Sequence, residues 1–174
     1  MAFLSLVDSI DKLLQKLLIV LMAVLLIDVS WQVLTRFILA NPSSFTEELA
    51  RFLLIWIGLL GSAHAYRHKM HLGVDIFVKS LSTTSAKVLK QAVQLITIAF
   101  ALSVLVFGGG KLMLLAIHLN QESPAMHINM GVIYIALPLS GILLALFAIE
   151  HMLTPDTEIN NEVVDVKIDS KEAI

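Results

Sequence analysis

Three groups of polar side chains stand out in an otherwise apolar chain, and each could do a different chemistry. Asp28, Gln32 and Arg36 recur at i, i+4 and i+8, which stacks them along one helix face, with Trp31 and Thr35 beside them. A carboxylate set in an apolar stretch could hold an ion or a proton, because such a group is expensive in a membrane and faces protein or water. The plainer reading is a polar seam that seats this helix on another, and Arg36 then marks the membrane interface. Glu47, Glu48 and Arg51 crowd the start of a second helix, where carboxylates offset the helix dipole and Glu47 pairs with Arg51 at i, i+4. Paired carboxylates also suit acid–base work, but no nucleophile or metal-ligand set accompanies them, so a structural or interface role is expected. His64, His68 and His71 fall near one helical face, a spacing that could hold a metal. His68 and His71 sit in the basic segment Arg67-His68-Lys69-Met70-His71, where solvated histidines are ordinary, and no metal site is expected. Haem b needs two axial histidines at one depth. Here only His64 and His151 share a level, while His118 and His127 come from the opposite end. Gly108-Gly109-Gly110 lacks the Lys-Ser/Thr that follows a phosphate-cradling loop, and reads as a kink or close packing point.

The elements that must position these groups are membrane helices. The chain has 174 residues, 57% of them hydrophobic and 15% charged, where a soluble domain carries roughly a quarter charged residues. The apolar residues form runs of about 20 or more, the length needed to cross a ~30 Å hydrocarbon core. With a net charge of −2 and a pI near 6.3 the chain has no basic stripe for nucleic acid. It has no cysteine, which excludes disulfides and thiolate metal sites. The fold expected is an all-α integral membrane protein, residues 1–153, with four spans at about 13–39, 45–66, 86–120 and 131–153. The first span runs on without a small-residue cleavage site and reads as a retained helix rather than a signal peptide. Asn41-Pro42-Ser43 ends it, and the capping box Ser44-Phe45-Thr46-Glu47 opens the second. After Gly73, Val74, Phe77, Val78 and Leu81 recur at helical spacing, which predicts a short interfacial helix.

The third span is too long for the bilayer and must tilt, break at Gly108–Gly110, or project. The fourth contains Pro138, and residues 154–174 form a polar, mainly acidic tail. Gly58, Gly61, Ser62 and Ala65 give helix two a small-residue face on which another helix backbone can approach closely. Gln91 and Gln94 add hydrogen-bonding capacity to helix three. The loop between helices two and three carries Arg67, Lys69, Lys79, Lys87 and Lys90, and the positive-inside rule then places it and both termini in the cytoplasm. A complete secondary transporter pairs broken helices around a midplane site. This chain has one glycine break and essentially one buried ionisable group, which reads as a subunit.

The string Gln32-Val33-Leu34-Thr35-Arg36, then Phe45-Thr46-Glu47-Glu48-Leu49-Ala50-Arg51, Trp56, Gly61 and His71-Leu72-Gly73-Val74-Asp75 carries a family likeness. It resembles the small (Q, DctQ-type) subunit of tripartite ATP-independent periplasmic (TRAP) transporters, over roughly residues 10–153 and most strongly over 32–75. Phe45 departs from the Trp usual there. The resemblance implies a multi-pass protein of the bacterial inner membrane that is not an enzyme. It implies a large M subunit as partner, which holds the sodium and substrate sites and moves them as an elevator, and a periplasmic binding protein that docks transiently. This subunit would bind no cofactor and act as static framework, with long tilted helices widening the M scaffold. Glu47, Glu48, Arg51 and Trp56 would organise helix two and its contacts with M, while His71 and Asp75 would fix the cytoplasmic turn. The likeness leans towards sialic-acid systems, with C4-dicarboxylates next. Two other readings compete: a membrane-anchor cytochrome b subunit of a respiratory enzyme, and a small ion transporter acting alone.

Overall fold

A computed structural model of the chain describes residues 2–38, 44–68 and 83–153. Its elements are α1 (Ala2–Ile38), α2 (Ser44–Arg67), α3 (Thr83–Phe100), a π-helical stretch (Ala101–Gly108), α4 (Gly109–His118), α5 (Met130–Tyr134) and α6 (Ala136–Leu153). Because α3, the π stretch and α4 run on without interruption, and only Ile135 parts α5 from α6, they make four rods. Each rod contains a segment long and apolar enough to cross a membrane: Phe3–Ile38, Ser44–Arg67, Val88–His118 and Met130–Leu153. Among the described residues the protein is all-α, with four such helices. The expected interfacial helix after Gly73, the turn Asn41–Ser43, the residues His71 and Asp75, and the acidic tail lie outside the described residues.

Helix α1 begins at Ala2, well before Leu13, where the sequence pattern placed the first span. Residues 2–12 look polar because they carry Asp8, Asp11 and Lys12, yet the inward pattern passes straight through them. Apart from Ile10, its least exposed residues are Val7, Asp11, Leu14, Leu18, Leu21, Leu25, Asp28, Gln32 and Thr35, at alternating steps of four and three. That period of 3.5 keeps one seam against a neighbouring helix over the whole length. It also corrects the expected stack. Thr35 takes the position after Gln32, and Arg36 turns outward and is exposed.

The seam meets α2. Val7 and Leu14 are buried with Leu60 and Ala63 of α2 and Phe147 of α6, and Leu18, Trp56 and Tyr66 pack around them. In lipid this apolar burial drives little by itself, since acyl chains are as apolar as Leu. Close packing and polar contacts decide which helix pairs form.

The third rod and α6 supply the close packing. A Cβ added at Gly141 would meet Leu105 Cβ at 2.7 Å and the Ala101 carbonyl oxygen at 3.0 Å, and one at Gly109 would meet Leu137 Cβ at 2.6 Å. Both glycines are buried at this contact. The glycine triplet does not break the helix. The π stretch ends at Gly108, and the Gly109 N–H still reaches the Val104 carbonyl five residues back. Val88–His118 spans 31 residues, about 46 Å at 1.5 Å per residue. Pro138 lies in the first turn of α6, where its missing N–H and ring are tolerated, and the rod is interrupted just before it at Ile135.

Helix α2 does not use its small-residue face in this way. Gly58 has nothing within 4 Å of an added Cβ, and Gly61 makes only an ordinary contact, Leu18 Cδ2 at 4.0 Å.

Candidate functional site

At the end of the bundle where α1 begins and α2 and α6 finish, one guanidinium ties three helices together. Arg67 donates from Nε to Glu150 Oε2 at 2.8 Å and from Nη2 to Glu150 Oε1 at 2.7 Å, a two-pronged pair with α6. Its Nη1 lies 2.9 Å from Asp11 Oδ2, and Nη2 also donates to Asp8, both on α1. The Arg67, Asp11 and Glu150 side chains are 13%, 8% and 11% exposed, so water screens these pairs weakly. Arg67 also stands over the Phe147 ring, 5.6 Å from its centroid.

Three histidines complete the cluster. His64 Nδ1 lies 2.8 Å from Asp11 Oδ1, and His68 Nε2 lies 3.0 Å from Asp11 Oδ2. His151 Nε2 donates to the Arg67 carbonyl at 2.9 Å, and its ring stacks on Tyr66. His64 and His151, the pair that shares a level, are thus both held by neighbours within the chain. The sequence pattern missed Asp8, Asp11, Arg67 as a bridge, and Glu150. Arg67 is the last residue of α2 and reads as a loop charge. The signal that could have found the cluster is the 3.5-residue seam, which puts Asp11 inward between Val7 and Leu14.

At the opposite end Glu48 does comparable work. Its carboxylate is buried, and Oε2 accepts the backbone N–H groups of Ala125 at 2.9 Å and Met126 at 2.8 Å. This holds the loop between α4 and α5, which closes on itself through Met130 N–H to Gln121 O at 2.7 Å and Ser123 N–H to Ile128 O at 2.9 Å. Asn120 and His127 turn it with φ of 47° and 54°. Asn129 then caps α5, its Oδ1 accepting from Gly131 N–H at 2.8 Å.

The remaining predicted residues are spread out. Glu47 and Arg51 form the expected i, i+4 pair at 3.3 Å, but it is exposed and contributes little stability. Asp28 is buried, and its Oδ2 has no hydrogen-bond partner among the described residues. Gln32 is half-buried, and its carbonyl accepts from Thr35 Oγ1 at 3.0 Å. Trp56 packs on the chain's own core. Ser62 is exposed and donates to the Leu59 carbonyl. These residues form scattered seams and clasps, not one reaction centre.

Residues 24–157 match the family described as tripartite ATP-independent periplasmic transporters, DctQ component. The chain belongs to this family. Its relatives are small permease proteins of TRAP transporters. One from Haemophilus influenzae is 27% identical over 150 residues, covering 86% of this chain and 91% of the relative. A sialic acid TRAP transporter small permease of Vibrio cholerae is 29% identical over 136 residues, covering 76% and 75%. An ectoine TRAP transporter small permease of Halomonas elongata is 27% identical over 169 residues, covering 92% and 87%. As a DctQ-type small permease subunit, the chain is part of a transporter and not an enzyme, and its four apolar helices make it a multi-pass inner-membrane protein. Membership implies two partners, a large M subunit and a substrate-binding protein.

Proposed function

We propose that this subunit is a static brace for the large M subunit, which carries substrate and sodium across the membrane by elevator motion. Uptake is sodium-coupled and fed by the binding protein, and the sodium sites belong to M. The substrate class is an organic acid, sialic acid or a C4-dicarboxylate. Relatives named for sialic acid and for ectoine support a carboxylate-bearing cargo without choosing one.

The observation that carries the brace is Arg67, which bonds to α1 and α6 from the end of α2 and so links three of the four rods. A framework needs such fixed joints, whereas a moving domain needs joints that open. Lys and Arg between α2 and α3 support a cytoplasmic location for this end and both termini. Gly58 and Ser62, exposed on α2 with open space above Gly58, suit close approach by a helix of M. Asp28, Gln32, Arg36, Glu47, Glu48, Arg51, Trp56, Gly61, His71 and Asp75 act in holding or seating the brace, and none reacts.

The test uses proteoliposomes with an inward sodium gradient and the binding protein outside. This chain alone should take up no organic acid, and this chain with M should do so. Glu48→Ala or Arg51→Ala should lower uptake or assembly while leaving the sodium-to-substrate ratio unchanged. A changed ratio would place the coupling site in this chain and defeat the proposal.

A further inference from the structure

We propose that Asp11, His64 and His68 form a binding site for one divalent d-block cation of the zinc class, clamping α1 to α2. One carboxylate oxygen and two imidazole nitrogens lie within 4.8 Å of one another, drawn from two helices. Two imidazoles and a carboxylate are a donor set that zinc accepts. His68 directly follows the last residue of α2, its N–H donates to the His64 carbonyl at 3.2 Å, and the two rings stand with centroids 4.5 Å apart. Asp11 is buried and fixed by the seam, His64 is half-buried, and the His68 side chain is 48% exposed, which leaves an approach from solvent and room for a water as fourth ligand.

Charge favours a cation here as well. Asp8, Asp11 and Glu150 all converge on the one guanidinium of Arg67, so with neutral histidines the cluster is short of positive charge. Arg67 is the direct competitor, at 2.9 Å from Asp11 Oδ2. Asp11 has a second oxygen, Oδ1, which lies 2.8 Å from His64 Nδ1. Tetrahedral zinc with bonds of 2.0–2.1 Å separates its ligand atoms by about 3.3 Å. The His64 contact, now 2.8 Å, therefore needs to open by about 0.5 Å, and His68 Nε2, now 3.0 Å from Asp11 Oδ2, must turn to the metal. Arg67 then supports the ligating carboxylate from its other oxygen, as outer partners of metal ligands do. Such an ion would be structural and take no part in the transport reaction.

The test is a Co²⁺ titration of the full-length chain, stripped with chelator and carrying no polyhistidine tag. Visible absorption of four-coordinate cobalt should rise to saturation at one equivalent per chain and be displaced by Zn²⁺. His64→Gln and His68→Gln, which leave Arg67 and its carboxylates in place, should each weaken binding at least about tenfold. A wild-type chain with no saturable absorption would overturn the site and leave Asp11 to Arg67 and the two histidines alone. Unchanged affinity in the double variant would place the metal elsewhere and overturn it equally.

Discussion

Arg67 shows how much one side chain contributes when its partners are out of water. Removing one member of a buried ion pair strands the others and costs about 3–5 kcal/mol, so Arg67→Ala should sharply lower the thermal midpoint of the purified chain. Arg67→Lys should rescue little, because a single ammonium cannot pair with both Glu150 oxygens while reaching Asp11. A midpoint unchanged in both variants would mean that the network does not hold the helices. Glu48 allows a parallel check at the other end. Hydrogen bonds to a charged group contribute about 1.5–3 kcal/mol each, so Glu48→Ala should destabilise far more than Glu47→Ala, read by the same melting assay. The sequence distinguishes these neighbouring carboxylates poorly. Both sit at a helix start and suit its dipole, and only the fold brings Ala125 and Met126 to Glu48. The same limit applies to Asp11 and Glu150, whose shared partner lies far from both in the chain.

At the scale of the helices, local pattern was a good guide to existence and a weaker one to pairing. Hydrophobic length made all four membrane helices readable, and Ser44 opens α2 where its capping box predicts. The start of α1 was obscured because charged residues near Asp8 hide a seam that continues through them. Small-residue spacing drew attention to Gly58 and Gly61, yet a close backbone approach joins α6 to the π stretch at Gly141. Such spacing says that a backbone can come near and not which neighbour does. Gly141→Ala should therefore destabilise the chain by about 1–3 kcal/mol through overpacking. Gly58→Ala should be neutral or slightly stabilising, since Ala favours helix over Gly by up to about 1 kcal/mol. Denaturation of the two variants side by side checks the pair, and equal effects would contradict the packing described here.

Across the whole molecule, the polar cluster at one end and the Glu48 clasp at the other fix both extremities of the bundle. Long apolar faces stay exposed between them, including Leu26, Ile27, Phe37 and Phe107, and these must meet lipid or a companion protein. The proposed static brace requires that transport tolerate rigidification of this chain. The chain has no cysteine, which allows a clean experiment. Leu18→Cys and Gly61→Cys, residues in contact across α1 and α2, can be joined by a short cleavable thiol-to-thiol linker. The measurement is sodium-driven uptake of organic acid by proteoliposomes holding this linked chain with its large subunit, with the binding protein outside. Uptake equal to that of the unlinked protein is the predicted result. Uptake that stops on linking and returns on cleavage would show that α1 and α2 move during transport.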